Sequence, residues 1–246
     1  MEKREQRFFI AYLIWAVVEL VAQLYRENHP IAHGVVKSIL MPILIALVAT
    51  TPRPIGIKIR LLLLTSLFFS WAGDVLLIFD DINLVPALSD RETFFMAGLG
   101  GFLVAQVLYI VIFTLHSKRN EKRSVLISQP LIAVVMLIVS GIIFKELFFE
   151  SDNGVPNHMT VPVLLYGVAL TGMVLSALNR RGRTHELSFW LVSFGAFSFL
   201  LSDTLIAFDH FHTPIDGMYV MTTYMIAQGT IVLGLLLHKE RREVAA

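Results

Sequence analysis

The chain has 246 residues, 56% of them hydrophobic and only 16% charged, with a mean hydropathy of +0.70. A soluble domain of this size cannot bury that much apolar surface, so the class is an all-α polytopic membrane protein. A net charge of only +1 argues against a nucleic-acid partner. The absence of Cys excludes a disulfide, a thiolate zinc site and a thiol nucleophile.

Apolar runs of about spanning length fall near 8–25, 33–50, 59–79, 93–116, 125–144, 159–178, 187–208 and 216–238, which predicts eight transmembrane helices. The first has a basic flank, carries Glu19 and lacks a small-residue cleavage site, so it is expected to be a retained span. The short connections leave no room for a soluble domain, and 1–246 is expected to form a single membrane domain.

Charge sorts by side. Sixteen of the 20 basic residues fall at the two termini and on alternate loops: Lys3, Arg4 and Arg7; Arg53, Lys58 and Arg60; Lys118, Arg119, Lys122 and Arg123; Arg180, Arg181 and Arg183; Lys239, Arg241 and Arg242. The positive-inside rule then places both termini in the cytoplasm, and an even number of spans fits that. The localisation implied is an integral multi-pass membrane protein, in the cell (inner) membrane if the source is bacterial.

The chain echoes itself. GDVLLIFD (73–80) aligns without gaps to SDTLIAFD (202–209), and FLVAQ (102–106) to YMIAQ (224–228) on the following helix. The matched helices are four spans apart, so two four-helix repeats are expected, 1–118 and 119–246, related by an axis along the membrane normal.

Buried polar residues carry the functional signal. An Asp near the centre of a span costs roughly 2.5–3.5 kcal/mol on insertion scales. Four ionisable groups are embedded here: Glu19, Lys37, Asp74 and Asp203. From the expected helix ends, all four lie roughly 6–9 Å below the outer boundary. Stripes accompany them: Ser66, Ser70 and Asp74 on helix 3; Tyr12, Trp15, Glu19 and Gln23 on helix 1; Phe102, Gln106 and Tyr109 on helix 4; Tyr224 and Gln228 on helix 8. Tyr166 on helix 6 is at a similar level. Helix 5 has no such stripe and is expected at the periphery. Plain structural roles compete: Lys37 is long enough to snorkel to the surface, and Glu19 can pair with Lys37 as structural glue. Gly98, Gly101, Ser198 and Ser202 fit close helix packing.

His29, His33, His158, His210 and His212 all fall on the outer side. A two-residue spacing on a helix points His210 and His212 apart, so no metal and no cofactor is expected. No GxSxG, HExxH or phosphate-cradling glycine loop is present.

These residues together resemble the lysoplasmalogenase family, the YhhN-like membrane proteins, over nearly the whole chain. The resemblance is carried by Lys37, by S-x-x-GD at Ser70 to Asp74, and by Gly98, Phe102 and Tyr109. It continues in Tyr166 and Met173, in GAFSFLLSD ending at Asp203, and in TYMIAQ at 223–228. Two positions depart from the family pattern: Ser38 follows Lys37 where a proline is expected, and no His stands near Gln106. The second departure removes the ground for an acid–base role at position 106. The resemblance implies hydrolysis of the vinyl ether of a lysoplasmalogen to a fatty aldehyde and glycerophosphoethanolamine or glycerophosphocholine, with Asp74 and Asp203 as the catalytic pair.

That chemistry suits the residues. A vinyl ether hydrolyses once a proton reaches its β-carbon, which needs one neutral carboxyl as donor and one carboxylate to stabilise the cation and activate water. Candidate substrate-binding residues are Lys37, Glu19, Ser70, Gln106, Tyr109, Tyr166, Tyr224 and Gln228. The expected partners are a lysophospholipid substrate and membrane lipid. The competing reading is a proton-coupled transporter using the same buried acids as a relay.

Overall fold

The computed structural model describes residues 3–52, 55–82, 91–118, 130–150 and 154–237. Among them are eight long helices: α1 (Lys3–Leu24), α2 (Pro30–Thr50), α3 (Ile57–Ile82), α4 (Arg91–Lys118), α5 (Pro130–Lys145), α6 (Thr160–Leu178), α7 (Glu186–Phe211) and α8 (Gly217–Leu236). A π-helical turn, Glu146–Glu150, follows α5. No strand occurs among the described residues, and each helical segment is long and apolar enough to cross a membrane. The first residues of the expected fifth helix, 125–129, the loop charges Arg53, Arg119, Lys122 and Arg123, and the basic C-terminal residues lie outside the described residues.

The chain divides into two compact units, and the division falls inside α4, between Tyr109 and Ile110. In the first unit α1 packs on α2 and α2 on α3. α1 buries only Glu5, Tyr12 and Glu19, a single stripe at seven-residue spacing. Ile10, Ile14 and Val17 are exposed on its other faces, as suits a helix whose partner there is lipid.

Pro42 decides how α3 meets α2. A proline has no backbone N–H, so the carbonyl of Ser38, four residues back, loses its helical donor. The indole Nε1 of Trp71 on α3 donates to that carbonyl at 2.9 Å. A second indole, Trp15 on α1, donates to the Val36 carbonyl at 2.8 Å. Two tryptophans thus pin α1 and α3 to carbonyls two residues apart on α2.

In the second unit α5 packs on α6, α6 on α7, and α7 along much of α8. α5 buries only Met136 and Ser140, matching the peripheral place expected for it. The turn between α6 and α7 passes through Gly182 at φ 70°, a left-handed conformation that costs an L side chain energy. α8 opens on Asp216, whose carboxylate accepts from the Met218 amide at 2.9 Å and so caps the helix.

Candidate active site

α3 and α7 are each 26 residues long, and in each the aspartate is the eighteenth residue. Asp74 is 3% exposed and Asp203 5%. Both helices run a few residues past the ends expected from hydropathy, because the polar residues that close the apolar run continue the helix. The aspartates therefore lie farther from the helix ends than the sequence implied.

In the first unit Asp74 continues a buried hydroxyl stripe, with Ser70 and Ser66 one and two turns back. Ser66 Oγ donates to the Ala105 carbonyl on α4 at 3.1 Å and also hydrogen-bonds Tyr109. The backbones of α3 and α4 nearly touch beside Asp74. A Cβ on Gly101 would stand 3.0 Å from the Phe69 carbonyl oxygen and 3.2 Å from Gly73 Cα. One on Gly73 would stand 2.9 Å from the Phe102 ring. Gln106, Phe102 and Tyr109 on α4 are all buried, as the stripe predicted.

Glu19 is fully buried, but its partner differs from the expected Lys37. His33 Nε2 lies 3.0 Å from Glu19 Oε1. The reason is the start of α2: it begins at Pro30, so His33 is helical and stands one turn above Lys37 on the same face. Lys37 is half-buried and makes no ion pair among the described residues. The level of Asp74 follows from the tryptophan pins. Trp71 meets Ser38, and Asp74 is three residues farther along α3 while α2 runs the opposite way, which places Asp74 between His33 and Lys37 in depth.

In the second unit Tyr166 on α6 donates its hydroxyl to Asp203 Oδ2. One turn back from Asp203, Phe199 packs edge-on against Tyr224 of α8, ring centroids 5.9 Å apart. Ser202, next to Asp203, donates to the Val220 carbonyl at 3.2 Å. Gln228 is buried on the same helix as Tyr224. The candidate side chains thus gather in two sets: Glu19, Lys37, Ser70, Asp74, Gln106 and Tyr109 in the first unit, and Tyr166, Asp203, Tyr224 and Gln228 in the second. Among the described residues no three or more His, Asp or Glu side chains form a metal-sized cluster.

Two polar clusters at the basic ends of the helices were not legible in the sequence. Thr51 donates to the buried carboxylate of Glu5, and Arg60 Nη2 donates to the Thr51 carbonyl at 3.0 Å. The seven-residue stripe of α1, carried back from Tyr12, points to Glu5. In the second unit Arg180, expected in a solvated loop, is fully buried. It donates to the Ser188 carbonyl at 3.3 Å and to Ser188 Oγ at 2.9 Å, with its guanidinium over the Phe113 ring. Ser188 in turn donates to the Gly234 carbonyl near the end of α8 at 2.6 Å. Burial lowers the Arg180 pKa from its ordinary value to about 9.

Comparison with known proteins adds two findings. The model of the YhhN family matches residues 32–235. A human protein named lysoplasmalogenase TMEM86B is 28% identical over 144 residues, which is 58% of this chain and 54% of that protein. The chain therefore spans about half the length of that relative. No solved structure matches.

Proposed function

We propose a function on this footing: the chain belongs to the YhhN family and is an integral multi-pass membrane protein. We infer that it hydrolyses the vinyl ether bond of lysoplasmalogens, the activity in the name of its human relative. The observation that carries the reading is the pair of buried aspartates, each the eighteenth residue of a 26-residue helix. Carboxyls held below the membrane surface are placed where a lysolipid, with its headgroup at the interface, puts its first ether bond.

The assignment of roles rests on Tyr166. Its hydroxyl donates to Asp203, so Asp203 serves as the acceptor, the carboxylate that faces developing positive charge and takes a proton from water. Asp74 is then the proton donor. Asp74 protonates the β-carbon of the vinyl ether, leaving an oxocarbenium ion on the carbon bonded to oxygen. Water adds to that carbon and gives a proton to Asp203. The hemiacetal collapses: its hydroxyl proton returns to Asp74, Asp203 passes its proton to the departing glycerol oxygen, and the aldehyde is free. Both carboxyls end as they began, with one water consumed.

The test is aldehyde release by purified protein from a lysoplasmalogen in water enriched in oxygen-18. The mechanism predicts label in the aldehyde, trapped by rapid reduction, and none in the glycerophospho product. Label in the glycerophospho product would mean cleavage on the glycerol side and would overturn the mechanism. No aldehyde from well-folded protein, across headgroups and pH, would overturn the function.

A further inference from the structure

Two buried acceptor atoms on α1 have no hydrogen-bond partner among the described residues. Glu19 is fully buried; His33 occupies its Oε1, and its Oε2 has no hydrogen-bond partner. Gln23, one turn along α1 on the same face, has a buried Oε1 that likewise lacks one. A buried polar atom left unsatisfied is costly, and a pair of them one turn apart asks for a donor that serves both. Lys37 is the basic side chain at hand, and it is not used. It makes no ion pair among the described residues, although Glu19 lies on the helix beside its own. Trp15, one turn before Glu19, donates to the carbonyl of Val36, the neighbour of Lys37. Glu19 and Lys37 are therefore about one turn, roughly 6 Å, apart in depth.

We propose that Glu19 Oε2 and Gln23 Oε1 form a receptor for a primary ammonium, with Lys37 taking the adjoining phosphate, so that this unit recognises a phosphoethanolamine headgroup. The proposal rests on the lysoplasmalogen reading of the site and names the substrate within it. A primary ammonium has three N–H donors and supplies both orphaned acceptors at once. A trimethylammonium has none, so a choline headgroup leaves both oxygens unsatisfied, and a site built for a donor discriminates strongly against a ligand that lacks it. Along the membrane normal, Gln23 and Glu19 lie toward the end of α1 that bears the Asn28–His29 turn, and Asp74 stands between His33 and Lys37; because side chains tilt toward the N-terminus of their helix, Lys37 leans outward from α2 and Asp74 inward from α3. The zwitterion also explains why Glu19 and Lys37 are not paired with each other, since each meets the opposite charge of the ligand. His33 holds the Glu19 carboxylate in place and is a positioning residue.

Two measurements test this. The first needs no turnover: the melting temperature of the detergent-solubilised full chain is followed with glycerophosphoethanolamine and with glycerophosphocholine. The wild type is expected to gain more from the ethanolamine compound, and Glu19→Gln and Gln23→Leu to lose that difference. The second is the ratio of kcat/KM for ethanolamine over choline lysoplasmalogen, expected to be about 10 or more in the wild type and to fall toward 1 in both variants. Equal stabilisation by the two compounds in the wild type, or a ratio that both variants preserve, would overturn the receptor. Gln23 is half-buried near the helix end, so its replacement keeps the test open if Glu19→Gln fails to fold. If the wild type released aldehyde from neither lysoplasmalogen, the function would fall, and the melting shift alone would decide the receptor.

Discussion

The α3–α4 pair and the α7–α8 pair hold their aspartates in different ways. Beside Asp74 the neighbouring backbones come together: Gly73, Gly98 and Gly101 leave no room for a Cβ without displacing Phe102, Leu77 or the α3 backbone. Beside Asp203 the helices are joined by side chains, with Ser202 reaching the Val220 carbonyl and Tyr166 donating to the carboxylate from α6. The close backbone approach in this second pair lies deeper, where a Cβ on Gly195 would stand 2.7 Å from Ile231 and 2.9 Å from the Ala227 carbonyl. The same residue at the same position of two equally long helices therefore has two environments. Position alone does not assign a role to a carboxyl: a tyrosine hydroxyl from α6 reaches Asp203, while closely approaching backbones pack beside Asp74.

That contrast can be broken or sharpened by substitution, starting with the largest effect. Asp74→Asn and Asp203→Asn are each expected to lower aldehyde release by about 100-fold or more, since each removes one half of the proton transfer. Correct folding is checked by melting temperature. Tyr166→Phe removes the donor to Asp203 alone and is expected to cost about 10-fold in kcat with the fold intact. An unchanged rate would remove the ground for assigning Asp203 as the acceptor. Gly195→Ala is expected to destabilise by about 1–3 kcal/mol, because a neighbouring backbone carbonyl has to move. Gly73→Ala is expected to cost less by the same thermal unfolding in detergent, because its nearest neighbours stand at 2.9 Å and its nearest backbone carbonyl, that of Gly98, at 3.1 Å, against 2.5 and 2.9 Å at Gly195.

A smaller effect comes from Arg180. Its folded pKa is lowered by burial to about 9, so above pH 9 the unfolded chain binds more protons than the folded one and stability rises with pH. Below pH 9 the fold carries an unfavourable buried charge. Arg180→Met, which keeps the bulk and removes the charge, is expected to melt at or above the wild type near neutral pH. That advantage should shrink as pH rises past 9. A gap that widened with pH would contradict the assignment to burial.

The legible and illegible parts of the sequence divide along physical lines. Helices read from apolar runs appear within a few residues, because a bilayer leaves the backbone few other ways to pair its polar groups. Asp74 and Asp203 stand out because a carboxyl in an apolar run is expensive. Arg180 and Glu5 did not, because they lie at the basic ends where charge is common and composition does not report burial. His33 was read as an outer histidine because α2 was expected to begin there. The helix begins earlier, at Pro30, and Pro42, by freeing the Ser38 carbonyl for Trp71, fixes which turn of α2 faces α3, a consequence that no periodicity reveals.

The central claim is that Asp74 and Asp203 work as one acid–base pair. The direct measurement is aldehyde release from a lysoplasmalogen by the wild type, Asp74→Asn, Asp203→Asn and the double variant, all folded, with the residual rates compared. Residues that act as a unit are not additive. The account predicts that the double variant falls no lower than either single one. Losses that multiply, or one single variant that keeps wild-type activity, would contradict it.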